Sequence, residues 1–315
     1  MQYIDENEMG QKSRVPRLSM GERCFGKDLS NFRQSKSQSQ TQRIKFDELD
    51  QIDNKNNNNP QLVSVYAKDI YKYCRNKDKA LDHTYIDKQI EINYKMRSIL
   101  IDWLVDVHHR FNLVSDTLYL TIYIIDAYLQ QIQISRNKFQ LLGVSALFIA
   151  SKYCEIYPPK LNYYSDVTDK TYTKEEILEM EGKILMQLQF EICFTNQHQF
   201  YERYQQLIQL DQKSYQLGKY ILELMLLDHK FIQYNPSLQA SSVLYLVQKI
   251  YKKSQNCWPT YLEIHSQYNE NQIRPVAKEI CQQLCQAKVM SLQAIQRKYS
   301  SPKFQEVSNI QIQYK

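Results

Sequence analysis

Apolar side chains recur every three to four positions from Leu62 onward, and upstream of Leu62 they do not. Residues 1–60 are polar, rich in Gln, Ser and Asn, and close on Asn56-Asn57-Asn58-Asn59-Pro60. Such a segment buries too little apolar surface to offset the entropy of ordering it, so a disordered tail is predicted there. A short amphipathic helix is predicted over 62–75, with Leu62, Val65, Tyr66, Ile70 and Tyr73 as its apolar positions. The clearest pattern lies at 96–111, where Met96, Ile99, Leu100, Trp103, Leu104, Val107 and Phe111 form one continuous stripe. Ile99, Leu104 and Val107 are the expected core members of that stripe. A second helix is expected from an N-cap at Ser115-Asp116 to Leu129, apolar on most sides and therefore buried. A third spans about 135–153, with Gly143, Ala146 and Ala150 allowing close approach of its neighbours. Pro158-Pro159 bars any continuous helix through that point. A short helix near 162–168 and one at 173–189, capped by Thr173 with Glu176 three residues on, make a set of five.

The second half repeats this order, with helices expected at 196–210, 213–230, 235–253, 258–267 and 275–296. Asn235-Pro236 offers an N-cap followed by a proline at the first helical position. Residues 145–152 (SALFIASK) align with 242–249 (SVLYLVQK) at an offset of 97, which puts the third helix of each half in register. A repeat of that length is a whole domain rather than a solenoid unit. The pattern therefore predicts an all-α fold. Residues 1–60 are a tail, 61–95 an N-terminal helix and linker, 96–194 and 195–297 two tandem five-helix domains, and 298–315 a C-terminal tail.

Composition narrows what such a body does. Six glycines in 315 residues, with no GxGxxG or GxxxxGK[ST], leave no common phosphate-cradling loop. The longest apolar stretch, Leu141 to Ala150, is far short of the roughly 20 residues of a membrane span. The first ten residues, MQYIDENEMG, lack the apolar region of a secretory signal, so a soluble intracellular chain is expected. Of the 40 basic and 34 acidic residues, nine and two fall within 11–45, leaving 31 and 32 elsewhere. The basic excess thus falls within 11–45, and the rest of the chain gives no net-charge argument for nucleic acid. The seven cysteines (24, 74, 154, 193, 257, 281 and 285) include no CxxC pair and are read as reduced thiols, with no metal site expected. His108 and His109 are neighbours on a helix and face different sides, so they do not chelate together. No HExxH, GxSxG or DxDxDG pattern occurs, and no catalytic residue is assigned. The remaining question is what the helical body binds.

Several blocks answer it together. Met96-Arg-Ser-Ile-Leu-Ile-Asp-Trp-Leu-Val-Asp-Val107 resembles the opening MRAILVDWLVEV of the cyclin box. Thr117-Leu-Tyr-Leu, Asp126-Ala-Tyr-Leu129, the run from Leu141 to Pro159, Thr171-Tyr-Thr-Lys and Met180-Glu181 continue in that family's order. Asp69-Ile-Tyr-Lys-Tyr73 resembles the N-terminal helix of B-type mitotic cyclins, and Lys298-Tyr-Ser-Ser-Pro-Lys-Phe304 their C-terminal tail. The resemblance spans about 62–306. It implies the tandem cyclin fold and a non-catalytic regulatory subunit, without a cofactor of its own, that activates a cyclin-dependent protein kinase.

The resemblance also implies roles for individual residues. Arg97 and Asp126 match a structural ion pair; an unpaired charge within apolar helices would cost several kcal/mol. Lys152 and Glu181 match the lysine–glutamate pair that hydrogen-bonds the kinase near the start of its αC helix, with Ile149, Tyr153 and Leu185 as apolar companions. The ordinary alternative for Lys152 and Glu181 is a pair of solvated surface charges. Met96, Leu100 and Trp103 resemble an exposed patch that docks Arg-x-Leu segments of substrates and inhibitors, although core packing is the competing reading of Met96 and Trp103. Asp106 and Gln140 match the positions that receive the arginine and the peptide backbone.

Departures from the family pattern bear on partner choice. Cys154 stands where the first glutamate of Lys-Phe-Glu-Glu-Ile is usual, and Ala127 where the arginine of Asp-Arg-Phe-Leu is usual. In the tail, Arg23-Cys-Phe-Gly-Lys-Asp-Leu-Ser-Asn31 resembles a degenerate destruction box, with Arg23, Phe25 and Asn31 as its marks, implying a ubiquitin ligase as a further partner. An inert basic tail is the alternative. Nuclear and cytoplasmic residence and control of mitosis are expected from the resemblance alone. Two rival readings remain: a cyclin-fold scaffold that activates no kinase, and a DNA-binding protein like transcription factor B, which would carry a zinc ribbon and a basic body.

Overall fold

A computed structural model of the chain describes residues 53, 54, 59, 62–252 and 257–310. The expected tail at 1–60, with Arg23, Phe25 and Asn31, lies almost entirely outside them. Among the described residues the regular structure is helical throughout: α1 (Ala67–Asn76), α2 (Tyr94–Arg110), α3 (Ser115–Leu129), α4 (Phe139–Cys154), α5 (Leu161–Asp166), α6 (Lys174–Gln187), α7 (Gln197–Ile208), α8 (Gln212–Leu227), α9 (Pro236–Lys252), α10 (Thr260–Ser266), α11 (Glu270–Gln286) and α12 (Ala294–Tyr299). Helices α4 and α9 begin at Phe139 and Pro236, which reproduces the 97-residue offset of the repeat.

Two cores hold the body together, one per half, and α2 and α3 belong to both. Leu104, Leu120, Ile124, Leu142, Leu147, Ile177 and Ile184 lie in the first. Ile101 and Val105 of α2 with Leu118, Tyr119 and Ile122 of α3 lie in the second, beside Tyr201, Leu217, Ile221, Leu244 and Ile280. This explains why α3 is apolar on most sides: each half covers one of its faces.

Helix boundaries obey local chemistry, and several differ from expectation. Thr173 and Glu176 form a reciprocal capping box on α6. Helix α3 is not capped by Ser115 or Asp116; its N-cap is Val114, with no side-chain cap of its own. The carboxylate of Glu155, just past the end of α4, accepts instead from the Val114 N–H at 2.8 Å and the Thr117 hydroxyl at 2.6 Å. Asn235 likewise does not serve α9 with its side chain, which accepts from the Ala80 N–H at 3.1 Å. Asp78 accepts from the Ser237 N–H at 3.1 Å, so the linker after α1 caps the second half. The helix expected at 275–296 is two helices. Asn269 and Gln272 box the start of α11, and Pro275 lies inside the helix rather than at its start. The Gln293 amide donates to the Met290 carbonyl at 2.5 Å across the break, and Asp102 of α2 caps α12 through the Ala294 N–H at 3.0 Å.

The N-terminal helix also departs from its simplest reading. Val65, Tyr66, Ile70 and Tyr73 face solvent, from 49% to 81% exposed. Tyr71 and Cys74, on the other side of α1, pack against the second core.

Candidate functional site

Lys152 sits in the last turn of α4 and Glu181 in the middle of α6, and their side chains are in direct contact. The lysine is well exposed and the glutamate nearly buried, at 41% and 11% of their side-chain surfaces. Lys152 Nζ also stands 4.0 Å from the centroid of the Phe148 ring, which supports the ammonium from beneath. The helix end is fixed by sequence. Glu155 is extended, and Pro158-Pro159 stands three residues on, where the restriction on Tyr157 before the proline bars the helix from resuming.

Apolar side chains crowd the surface around this pair. Tyr153 is 57% exposed, and Ile156 and Tyr157, just past α4, are 86% and 91% exposed. On α6, Leu185 is half-buried one turn from Glu181, and Leu178 is exposed three residues before it. The Cys193 thiol links this surface to α1, lying 3.4 Å from the Tyr73 hydroxyl. Its hydrogen bond and proximity hold the Tyr73 and Tyr153 hydroxyls above their ordinary pKa. Ile149 is different: it is 3% exposed and belongs to the first core, so it supports Lys152 from within. Leu178, Ile156 and Tyr157 are not assigned to the site from the sequence, and Val65, Tyr66, Ile70 and Tyr73 read there only as the apolar face of a helix, because exposure cannot be told from core burial by apolar spacing.

The second surface runs along α2. Met96 and Trp103 are half-buried, Gln140 is partly exposed, and Asp106 is exposed. Leu100, expected to be exposed with them, is 6% exposed, whereas Ile99, expected in the core, is 49% exposed. At 100° per residue, positions 96, 99, 103 and 106 share one face and 100 turns inward. There Leu100 presses on α4: a Cβ placed on Gly143 would lie 2.8 Å from its Cδ1. Asp106 is already paired, with Arg297 Nη2 of α12 at 2.5 Å.

Arg97 and Asp126 pair beneath this surface at 2.7 Å, both essentially sealed from water. Among the described residues, no group of three or more His, Cys, Asp or Glu is arranged to hold a metal ion. No helix among them is long and apolar enough to cross a membrane.

Two five-helix units in tandem carry exposed apolar surface around a lysine–glutamate contact, the kind of surface that a partner covers. The chain belongs to the cyclin family: the cyclin N-terminal domain model matches residues 69–193 and the cyclin C-terminal domain model 195–313. It is 41% identical over 264 residues to the G2/mitotic-specific cyclin-B of Patella vulgata, covering 83% of this chain and 64% of that protein. It is 39% identical to the G2/mitotic-specific cyclin-B of Hydra vulgaris, covering 84% and 73%. The chain thus spans somewhat less than two thirds of the Patella relative's length. In fold it is similar to a viral cyclin from herpesvirus saimiri, at 21% identity and a TM-score of 0.55 over 62% of this chain and 89% of that one. It is also similar to a chain of the yeast RNA Pol II CTD kinase CTDK-1 complex, at 13% identity and a TM-score of 0.56 over 75% and 87%.

Proposed function

We propose that this chain is a mitotic, B-type regulatory subunit that binds a cyclin-dependent protein kinase and switches it on, with no catalytic step of its own. The observation that carries this reading is the Lys152–Glu181 contact at the surface, ringed by Tyr153, Ile156, Tyr157 and Leu178. Apolar groups supply interface energy, and a fixed polar pair in their midst sets register. The exposed apolar side of α1 extends the same kind of surface, which a free monomer has no reason to present.

The mechanism is a shift of population. Binding favours the kinase state in which its αC helix is turned inward and its Lys–Glu pair and activation loop are formed. Moving that equilibrium from 1:99 to 99:1 takes about 5.5 kcal/mol of differential affinity. A broad apolar interface reaches that figure, whereas isolated surface charges do not. The face of Met96, Ile99, Trp103, Asp106 and Gln140 then docks Arg-x-Leu segments of substrates.

Co-purification with a cyclin-dependent kinase and a histone H1 phosphorylation assay test this reading. Lys152→Ala combined with Glu181→Ala is expected to abolish activation while leaving thermal unfolding cooperative. Full activation by the folded double variant would instead favour a cyclin-fold scaffold whose kinase-facing residues are dispensable.

A further inference from the structure

Helix α1 has a second functional side. Lys68, Tyr71, Lys72 and Arg75 recur at i, i+3, i+4 and i+7, opposite the exposed stripe of Tyr66, Ile70 and Tyr73. They line a cleft of about 450 Å³ whose other walls include Arg203 of α7 and His265 of α10. One acidic group is seated among these cations: Asp53 accepts from Arg203 Nη1 at 2.5 Å and Nη2 at 2.9 Å, a two-pronged grip on a carboxylate that is 11% exposed.

The seated carboxylate does not exhaust the cleft. Asp78 pairs with Arg75 Nη1 at 3.2 Å from outside the lining, so among the described residues Lys72, Arg75 and Arg203 are set against the carboxylates of Asp53 and Asp78. Arg203 Nε and His265 Nε2 are buried without a hydrogen-bond partner. The His265 ring stacks on Tyr71 with centroids 4.1 Å apart, which fixes it against the cleft floor. Burial first, then Arg203 and Arg75, pull the pKa of His265 down to about 3, so the ring is neutral there and the surroundings are electropositive.

We propose that this cleft is a binding site for a phosphorylated side chain of a partner segment, and that Asp53 is the resident group such a segment displaces. A phosphoryl group carries about −1.5 to −2 charges and three acceptor oxygens, against one charge on Asp53. It suits the two-pronged Arg203 geometry and answers the charge surplus of the described residues. The site lies on the opposite side of α1 from the proposed kinase-facing stripe and does not depend on that reading.

Fluorescence anisotropy with the full chain tests it, using a labelled five-residue peptide with a central phosphoserine and its unphosphorylated twin. The phosphopeptide is expected to bind and the twin not. Asp53→Asn should tighten binding several-fold. Arg203→Ala should weaken it about tenfold or more, the loss of a charge-assisted pair of hydrogen bonds. Lys72→Glu, at an exposed position that folding tolerates, should weaken it as well. Equal binding of the two peptides, or indifference to both Asp53→Asn and Lys72→Glu, would leave the Asp53–Arg203 pair purely structural and overturn the proposal. Displacement of the peptide by inorganic phosphate at equal concentration would also overturn it, by assigning the cleft to the free ion.

Discussion

Arg97 of α2 holds Asp126 of α3 through hydrogen bonds of 2.8 and 2.7 Å, and its third nitrogen donates to the Leu226 carbonyl of α8 at 3.0 Å. The Tyr85 hydroxyl accepts from Arg97 Nε and donates to Asp126 at 2.5 Å. Arg97 thus joins the two cyclin boxes as well as two helices of one box. Arg97→Ala leaves Asp126, 3% exposed, without its counter-charge. A loss of about 3–5 kcal/mol in urea unfolding is expected. Replacing both partners with apolar residues of similar volume should recover most of it. A loss below about 1 kcal/mol for the single variant would show that the pair carries little of the fold.

How far the sequence alone reaches is shown by particular helices. Helix α2 and the capping box of α6 are legible, because a stripe of apolar residues and a Thr-x-x-Glu signal act locally. The caps of α3 and α9 are not: Glu155 lies 41 positions from Val114, and Asp78 lies 159 from Ser237. Periodicity likewise marks Ile99 and Leu100 alike, since it reports that a face is apolar and not what covers it. Leu100 is buried against α4 beside Gly143, whose missing side chain leaves it room, while Ile99 lies exposed. Lys152 of α4 and Glu181 of α6 meet at the surface, and α1 shows its apolar stripe to solvent because Tyr71 and Arg75 hold it from the other side.

Arg297 occupies the acid that the docking proposal assigns to a substrate's arginine. Both partners are largely exposed, at 62% and 49% of their side-chain surfaces, so the pair is weak and exchangeable. Arg297→Ala is therefore expected to strengthen binding of an Arg-x-Leu peptide by about two- to five-fold in calorimetry, the range of an exposed ion pair. Asp106→Asn should weaken the same peptide, with or without Arg297. No change on removing Arg297 would mean that the peptide's arginine lies elsewhere.

Two glycines predict unequal costs. A Cβ on Gly143 meets the flexible end of Leu100 at 2.8 Å, which a rotamer shift relieves. A Cβ on Gly218 would lie 1.9 Å from the Tyr201 hydroxyl and 2.2 Å from the ring carbon bearing it. Tyr201 is fully buried, and its hydroxyl reaches the Tyr215 carbonyl at 3.3 Å. It has no room to retreat. Gly218→Ala should cost about 1–3 kcal/mol or more, and Gly143→Ala clearly less. The reverse order in urea midpoints would contradict this packing of α8 against α7.

Acid should loosen the fold through buried histidines before it acts on the carboxylates. His108 Nε2 donates to the Val114 carbonyl at 2.9 Å, while Nδ1 is buried with no acceptor for a second proton. Burial, then the charge of Lys298, pull its pKa down to about 4, and His265 is drawn to about 3. In the unfolded chain both titrate near about 6.5. Below that value the unfolded chain takes up protons that the folded chain refuses, so stability falls as pH drops, until the folded pKa is reached. Between about pH 7 and pH 5 each histidine contributes a loss of about 2 kcal/mol. Glu223 adds to the loss only lower, because its pKa is depressed: burial opposes that shift, but Lys298 and Tyr299 prevail. Urea unfolding at the two pH values should therefore show His108→Gln losing about 2 kcal/mol less than the native sequence does. If the variant and the native sequence lose stability in parallel, His108 is protonated in the folded chain and its buried Nδ1 has found an acceptor.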